Sequence, residues 1–102
     1  TKSNFINVVQ KTIGLALFYI IKCYDDLEEF YKLGITSRTI SLRYPTYKTL
    51  PYDFEVIQEL SLNAEVAWNL EKQLKKYIKD FNIHYLPLKP FKGSSSECYK
   101  YY

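Results

Sequence analysis

The chain has little with which to bind a transition metal. Its 102 residues hold two cysteines, Cys23 and Cys98, and one histidine, His84, at separations that match no zinc-ligand spacing. Reduced, buried thiols in a cytoplasmic protein are the expectation. No apolar run approaches the roughly 20 residues that cross a bilayer, and no charged-then-apolar leader precedes a small-residue cleavage site, so the sequence reads as soluble and untargeted. A strong excess of one charge is also missing. Fourteen Lys and Arg against eleven Asp and Glu leave a net charge of +3, enough for a modest, salt-sensitive attraction to polyanions. There is no helix-turn-helix pattern, no basic tail and no internal repeat. The chain starts at Thr1 rather than Met, which reads either as a trimmed chain or as a domain excised from a longer parent.

What is present is a large apolar and aromatic fraction, 47% and 18%, including 11 tyrosines. At this length that supports one core. Residues 1–14 read as an N-terminal arm or extra element and 15–102 as a single domain. Leu15 to Cys23 is almost continuously apolar, a strand covered on both faces, with Leu15, Leu17, Tyr19 and Ile21 on one side. A polar stretch leads to a second apolar run from Glu29 to Ile35, so the two form an antiparallel hairpin. With residues 24–27 as the loop, Cys23 lies opposite Glu28, Ile21 opposite Phe30 and Tyr19 opposite Lys32. A one-residue slip would send Lys32 to the other face.

Further along, Thr36, Ser37 and Thr39 are capable helix caps before Ile40, Leu42 and Arg43, and Pro45 ends that helix early. Asp53 to Leu60 alternates Phe54, Val56 and Leu60 against Glu55 and Glu59, a third strand with one wet face. Residues 62–80 carry Ala67, Leu70, Leu74, Tyr77 and Ile78 at helical spacing. Glu71 stands at the margin of that stripe, where an acid either lines a pocket or pairs with a cation such as Lys75 four residues on. The tail is rich in turn residues and closes with a short strand near Cys98–Lys100. The fold class is α+β, a three-stranded antiparallel sheet flanked by helices.

A phenol, two cations and an isolated carboxylate on this frame are the parts needed to cut a phosphodiester with a metal ion. In order and spacing, Phe18-Tyr19-Ile20, Tyr31-Lys32-Leu33-Gly34, Arg43 and Glu71 resemble the GIY-YIG nuclease superfamily over nearly all of residues 15–99. The ending FKGSSSECY is similar to a phage-associated branch with lysine in the second motif. The resemblance implies a divalent-metal-dependent endonuclease hydrolysing double-stranded DNA by in-line attack of activated water, with Mg²⁺ or Mn²⁺ held by Glu71 and target choice left to a separate DNA-recognition region of the parent. It makes Tyr19 the acceptor of the water's proton, which asks for a phenol well below its usual pKa of about 10. Arg43 would hold the scissile phosphate, and Arg38 is second in line for it or for a flanking one. Lys32 either orients the water, contacts phosphate or lowers the pKa of Tyr19. Gly34 marks a close approach. Tyr47 stands where the superfamily often has histidine, as general acid or base. The usual closing asparagine is absent, with Ser95 or Glu97 in its place. A catalytically inactive nucleic-acid-binding or docking module on the same frame is the alternative.

Overall fold

The computed structural model describes residues 15–37, 39–94 and 96–101. The N-terminal arm, Arg38 and Ser95 lie outside them. Among the described residues the elements run β1 (Leu15–Tyr24), β2 (Glu29–Thr36), α1 (Ile40–Arg43), β3 (Asp53–Asn63), α2 (Ala64–Asp80) and β4 (Cys98–Tyr99). All strand pairs are antiparallel, in the order β3-β1-β2-β4. The sheet therefore has four strands where three were expected. The fourth is the short closing strand near Cys98: two residues carry no periodicity, and only pairing with Tyr31 and Lys32 makes them a strand. No helix of the described residues is long and apolar enough to cross a membrane.

The hairpin forms as the sequence implies, but its register is two residues from the expected one. Asp25 accepts from the backbone N–H groups of Leu27 (2.8 Å) and Glu28 (2.9 Å), a side-chain turn that fixes the loop at residues 25–28. Sliding the loop by one residue moves every pair by two: Tyr19 lies opposite Gly34, and Lys32 opposite Ile21. Because side chains alternate with period two, Lys32 still shares a face with Tyr19, and Tyr31 points away to stack on Tyr99 at 5.7 Å.

β3 corrects a second expectation. Ile20 pairs with Gln58 and Ile21 with Val56, so Ile57 is an extra residue and the ladder bulges there. The bulge inverts the alternation, sending Phe54 to the Tyr19 face and Leu60 to the Phe18 face. As an edge strand β3 also leaves Val56 and Leu60 exposed.

The two sheet faces hold separate cores. On one, Phe18, Ile20 and Leu33 pack against Leu70, Leu74 and Ile78 of α2, whose first turn is capped by the Asn63 side chain accepting from Glu65 N. On the other, Tyr19, Ile21, Cys23 and Phe30 are covered by Ile40, Tyr44, Leu50 and Tyr52, with Phe91 against them. Cys23 and Cys98 are both free and buried there, and burial pushes each thiol up to about 12. Glu28 ties that cover down by accepting from the phenols of Tyr52 (2.5 Å) and Tyr85 (2.6 Å). The second face is therefore closed by aromatic loops and one short helix, and this places polar groups against the strands.

Candidate active site

Tyr19 sits in the middle of the central strand, 1% exposed. Its phenol lies over the Cα of Gly34 on β2. A Cβ built there would come within 2.5 Å of Tyr19 Cζ, so the absence of a side chain at Gly34 is what makes room for the ring. α1 ends at Arg43, and Tyr44 turns back under the sheet with its backbone N–H on Ile40 O. The Tyr44 and Tyr19 hydroxyls are 2.5 Å apart and their rings meet edge to face at 6.0 Å.

Lys32, also 1% exposed, is the hub. Its ammonium nitrogen stands 5.7 Å from the Tyr19 ring centroid and 5.3 Å from that of Tyr44. It donates to Glu97 Oε1 at 2.9 Å and to Leu33 O at 3.3 Å. Glu97 is delivered by a turn in which Gly93 takes φ +88° and accepts from Glu97 N. A Cβ on Gly93 would collide with the Glu97 carboxylate. The second Glu97 oxygen lies 3.4 Å from Lys75 Nζ, which is 3.1 Å from Glu71 Oε1. One run of polar contacts thus leads from Tyr44 and Tyr19 past Lys32 to Glu97, Lys75 and Glu71.

The electrostatics of this run differ from the expected phenolate. Burial pushes the Tyr19 pKa well above its ordinary value, and the cations Lys32 and Arg43, which pull the other way, are outweighed. Tyr44 is raised by burial as well. The pair is a neutral phenol–phenol hydrogen bond. Lys32 stays charged: burial would lower it, but the Glu97 carboxylate that it donates to raises it on balance. Glu71 is raised first by burial and then by Glu97, against the pull of Lys75.

Of the residues singled out by spacing, Tyr19, Lys32 and Gly34 meet directly. Arg43 is half-buried at the edge of the group, its guanidinium carbon 5.0 Å from the Tyr44 ring. Glu71 joins through Lys75 and Glu97. Tyr47 does not touch the group: it is exposed, donates to Asp53 Oδ1, and lines a hollow with Pro45, Phe54 and Tyr44, the last being the residue through which that hollow borders the site. Three further residues complete the site, and spacing gave them no role in it or only a passing one. Tyr44 is separated from Tyr19 by 25 residues and Glu97 from Lys32 by 65, so no local spacing signals either contact. Lys75 was legible only as an i, i+4 partner of Glu71.

Among the described residues no three His, Cys, Asp or Glu side chains gather around one point. The donor set instead offers two carboxylates sharing one ammonium, with Glu71 Oε1 and Glu97 Oε2 both within 3.4 Å of Lys75 Nζ. A point cation already bridges them. Mg²⁺ accepts one or two carboxylates completed by water and phosphate oxygens, so Glu71 and Glu97 are the residues that would hold such an ion, at the place where the Lys75 ammonium stands. Compared with family models, curated proteins and solved structures, the chain matches none of them.

The fit of Tyr19 over Gly34 makes a direct prediction. Gly34→Ala forces the ring or the strand to move, which is expected to cost about 1–3 kcal/mol in chemical denaturation. Gly34→Ala/Tyr19→Phe should recover part of that, because the hydroxyl is among the atoms a Cβ meets first. Equal stability of Gly34→Ala and wild type would refute the packing.

Proposed function

We propose that this domain is a GIY-YIG-like endonuclease that hydrolyses DNA phosphodiesters with a divalent metal. The observation that carries the reading is the polar run through an otherwise apolar core. Five residues that the resemblance to the GIY-YIG superfamily singles out (Tyr19, Lys32, Gly34, Arg43 and Glu71) belong to it or border it. Buried charge of this kind is costly to keep for stability alone and clusters at functional sites.

In this reading Arg43, at the solvent edge, grips the scissile phosphate with a planar fork of donors. Lys32 holds Tyr19 and Glu97 in place and supplies a fixed positive charge behind the phosphate. Water attacks phosphorus in line and the bond to the leaving oxygen breaks. Tyr19, a neutral phenol at pH 7, orients the water through its oxygen but cannot take its proton, which passes by way of a non-bridging phosphate oxygen to the leaving oxygen. Glu71 and Glu97 would hold a divalent ion, which when bound would supply Lewis-acid stabilisation of the leaving oxygen.

The alternative, a nucleic-acid-binding module without turnover, draws on two specific observations: the Lys75 ammonium stands on Glu71, and the Tyr19 phenol is held above its usual pKa rather than below it. Supercoiled plasmid separates the two. The nuclease reading expects nicking with Mg²⁺ or Mn²⁺ that stops on chelation and drops at least about tenfold in Arg43→Ala. DNA binding with no metal-dependent nicking would establish the module instead.

A further inference from the structure

Along α2, beyond Glu71, the surface is hollowed in two adjoining places that share Lys75. One lies beside Trp68, Glu71 and Lys72. The other, about 520 Å³, is lined by Lys75, Lys76 and Lys79 and by Ile78, Asn82, His84 and Ser96. We propose that this second hollow is a phosphate subsite that holds the nucleic-acid strand next to the point where Glu71 acts. The proposal rests on the nucleic-acid reading above and assigns where the rest of the strand lies.

Three lysines within five residues of helix share one concavity with Ser96, Asn82 and His84. Lys75 is shared with Glu71 and Glu97, but Lys76 and Lys79 are exposed and form no ion pair among the described residues. The lining itself is mostly apolar, made of Ile78 and the lysine stems, and it is the uncommitted ammonium groups at its rim that suit an anion rather than a cation. The hollow lies near the C-terminal end of α2, whose partial negative charge of about one half opposes an anion. Two uncommitted ammonium groups outweigh it. The last carbonyls are also occupied: Tyr77 O accepts from Phe81 N, Ile78 O from Ile83 N and Lys79 O from Asn82 N, as Asn82 turns out of the helix at φ 53°.

His84 supplies the second line of evidence. Its ring lines the hollow, yet Nε2 is shielded from solvent and has no hydrogen-bond partner. Buried ring nitrogens are nearly always paired, and an orphan calls for an explanation. Rotation about the soft torsion that joins the ring to its Cβ would present a ring nitrogen to a phosphate oxygen in the hollow. The scale is right for a strand. Glu71 and Lys79 are eight residues apart, about 12 Å along the helix, which matches the rise of three to four nucleotides at about 3.4 Å each.

His84 is the single histidine of the chain, so its imidazole signals in a proton–nitrogen correlation spectrum need no assignment. The full 102-residue chain is titrated with inorganic phosphate and with a short 5′-phosphorylated oligonucleotide. Both are expected to shift the His84 signals saturably, the oligonucleotide at lower concentration, and Lys76→Gln/Lys79→Gln is expected to abolish the shift. In DNA-binding titrations against salt, the same double variant should lower the log–log slope by about 2, one for each phosphate no longer neutralised. Lys48→Gln/Lys92→Gln, an equal loss of charge at exposed positions elsewhere, should leave the slope near the wild-type value. A His84 signal that ignores both ligands, or equal effects of the two double variants, overturns the subsite. A response to phosphate but not to the oligonucleotide overturns its assignment to a strand. Plasmid nicking reads the catalytic proposal separately: nicking with a silent His84 leaves the nuclease standing without this subsite, and a responsive His84 without nicking does the reverse.

Discussion

Lys32→Ala is expected to remove about 3–5 kcal/mol of folding stability, the cost of breaking a buried ion pair and leaving a void. Domains of this size have about 5–15 kcal/mol in total, so the variant should populate the unfolded state measurably at moderate temperature. At 1% exposure the ammonium has no route to water without disturbing Tyr19 and Tyr44, and its removal leaves Glu97 Oε1 without the donor now 2.9 Å away. Lys32→Met separates charge from volume. It keeps the packing against the two rings, and Lys75 still faces the other Glu97 oxygen at 3.4 Å, so it should cost less than alanine. Lys32→Met/Glu97→Gln should cost less than the sum of its parts, since each single change strands a partner that the double change does not. The pH dependence follows from the raised pKa of Lys32. A folded-state value above the unfolded one means that the contribution is complete below the unfolded pKa of about 10.4 and fades as pH rises through the folded value. The gap between wild type and Lys32→Met should therefore stay level from neutral pH to about 10 and narrow above it. A cost below about 1 kcal/mol for Lys32→Ala, by denaturant unfolding, would refute the picture of Lys32 as the buried hub.

Why Lys32 could be placed beside Tyr19 from sequence is a matter of parity. The hairpin register was two residues from the expected one, because the Asp25 side chain moves the loop to residues 25–28. A two-residue error preserves which side chains share a face, so the Tyr19–Lys32 association survives it. The same tolerance does not extend to β3. There one bulged residue, Ile57, changes parity and separates Phe54 from Leu60, and nothing in an alternating run announces a bulge. α1, β3 and α2 were legible because caps, Pro45 and periodicity are local. Their ends moved by a few residues: β3 runs on to Asn63, and α2 begins at Ala64, where the Asn63 side chain caps it.

The site divides along the same line. Resemblance to the superfamily's motifs pointed to Tyr19, Lys32, Gly34, Arg43 and Glu71, whereas Tyr44, Lys75 and Glu97 join them only through contacts across the fold. The direction of the Tyr19 pKa was misread for a related reason. Neighbouring cations can be inferred from register, but the desolvation that outweighs them depends on α1 and the loop that follows it covering the sheet. Tyr47 shows the converse: it occupies the place where the superfamily often has histidine, and the turn after Pro45 carries it out to Asp53.

Glu71→Gln is expected to lower metal-dependent DNA nicking by about 100-fold or more while leaving the fold intact. The amide keeps the size of the carboxyl and can still accept from Lys75, but it gives up the negative charge that a divalent ion needs. Losses of this order are typical when one group that stabilises charge in the transition state is removed. Folding stability should move the other way or not at all. Burial and Glu97 raise the pKa of Glu71, so its stabilising contribution is complete below the unfolded value of about 4.3 and is lost as pH rises through the folded value. At pH 7 the ionised side chain is a cost that Lys75 offsets only in part, and the neutral amide avoids it. Glu71→Gln should therefore unfold within about 1 kcal/mol of wild type or above it, and its stability should fall less steeply between pH 4 and 7. The paired readouts decide between the two meanings of the Glu71–Lys75 contact at 3.1 Å. Lost nicking with unchanged stability makes Lys75 a resting counter-ion that gives way to a metal. Unchanged nicking with stability reduced by more than about 1 kcal/mol makes the pair an ordinary structural bridge, and the catalytic assignment of Glu71 falls with it.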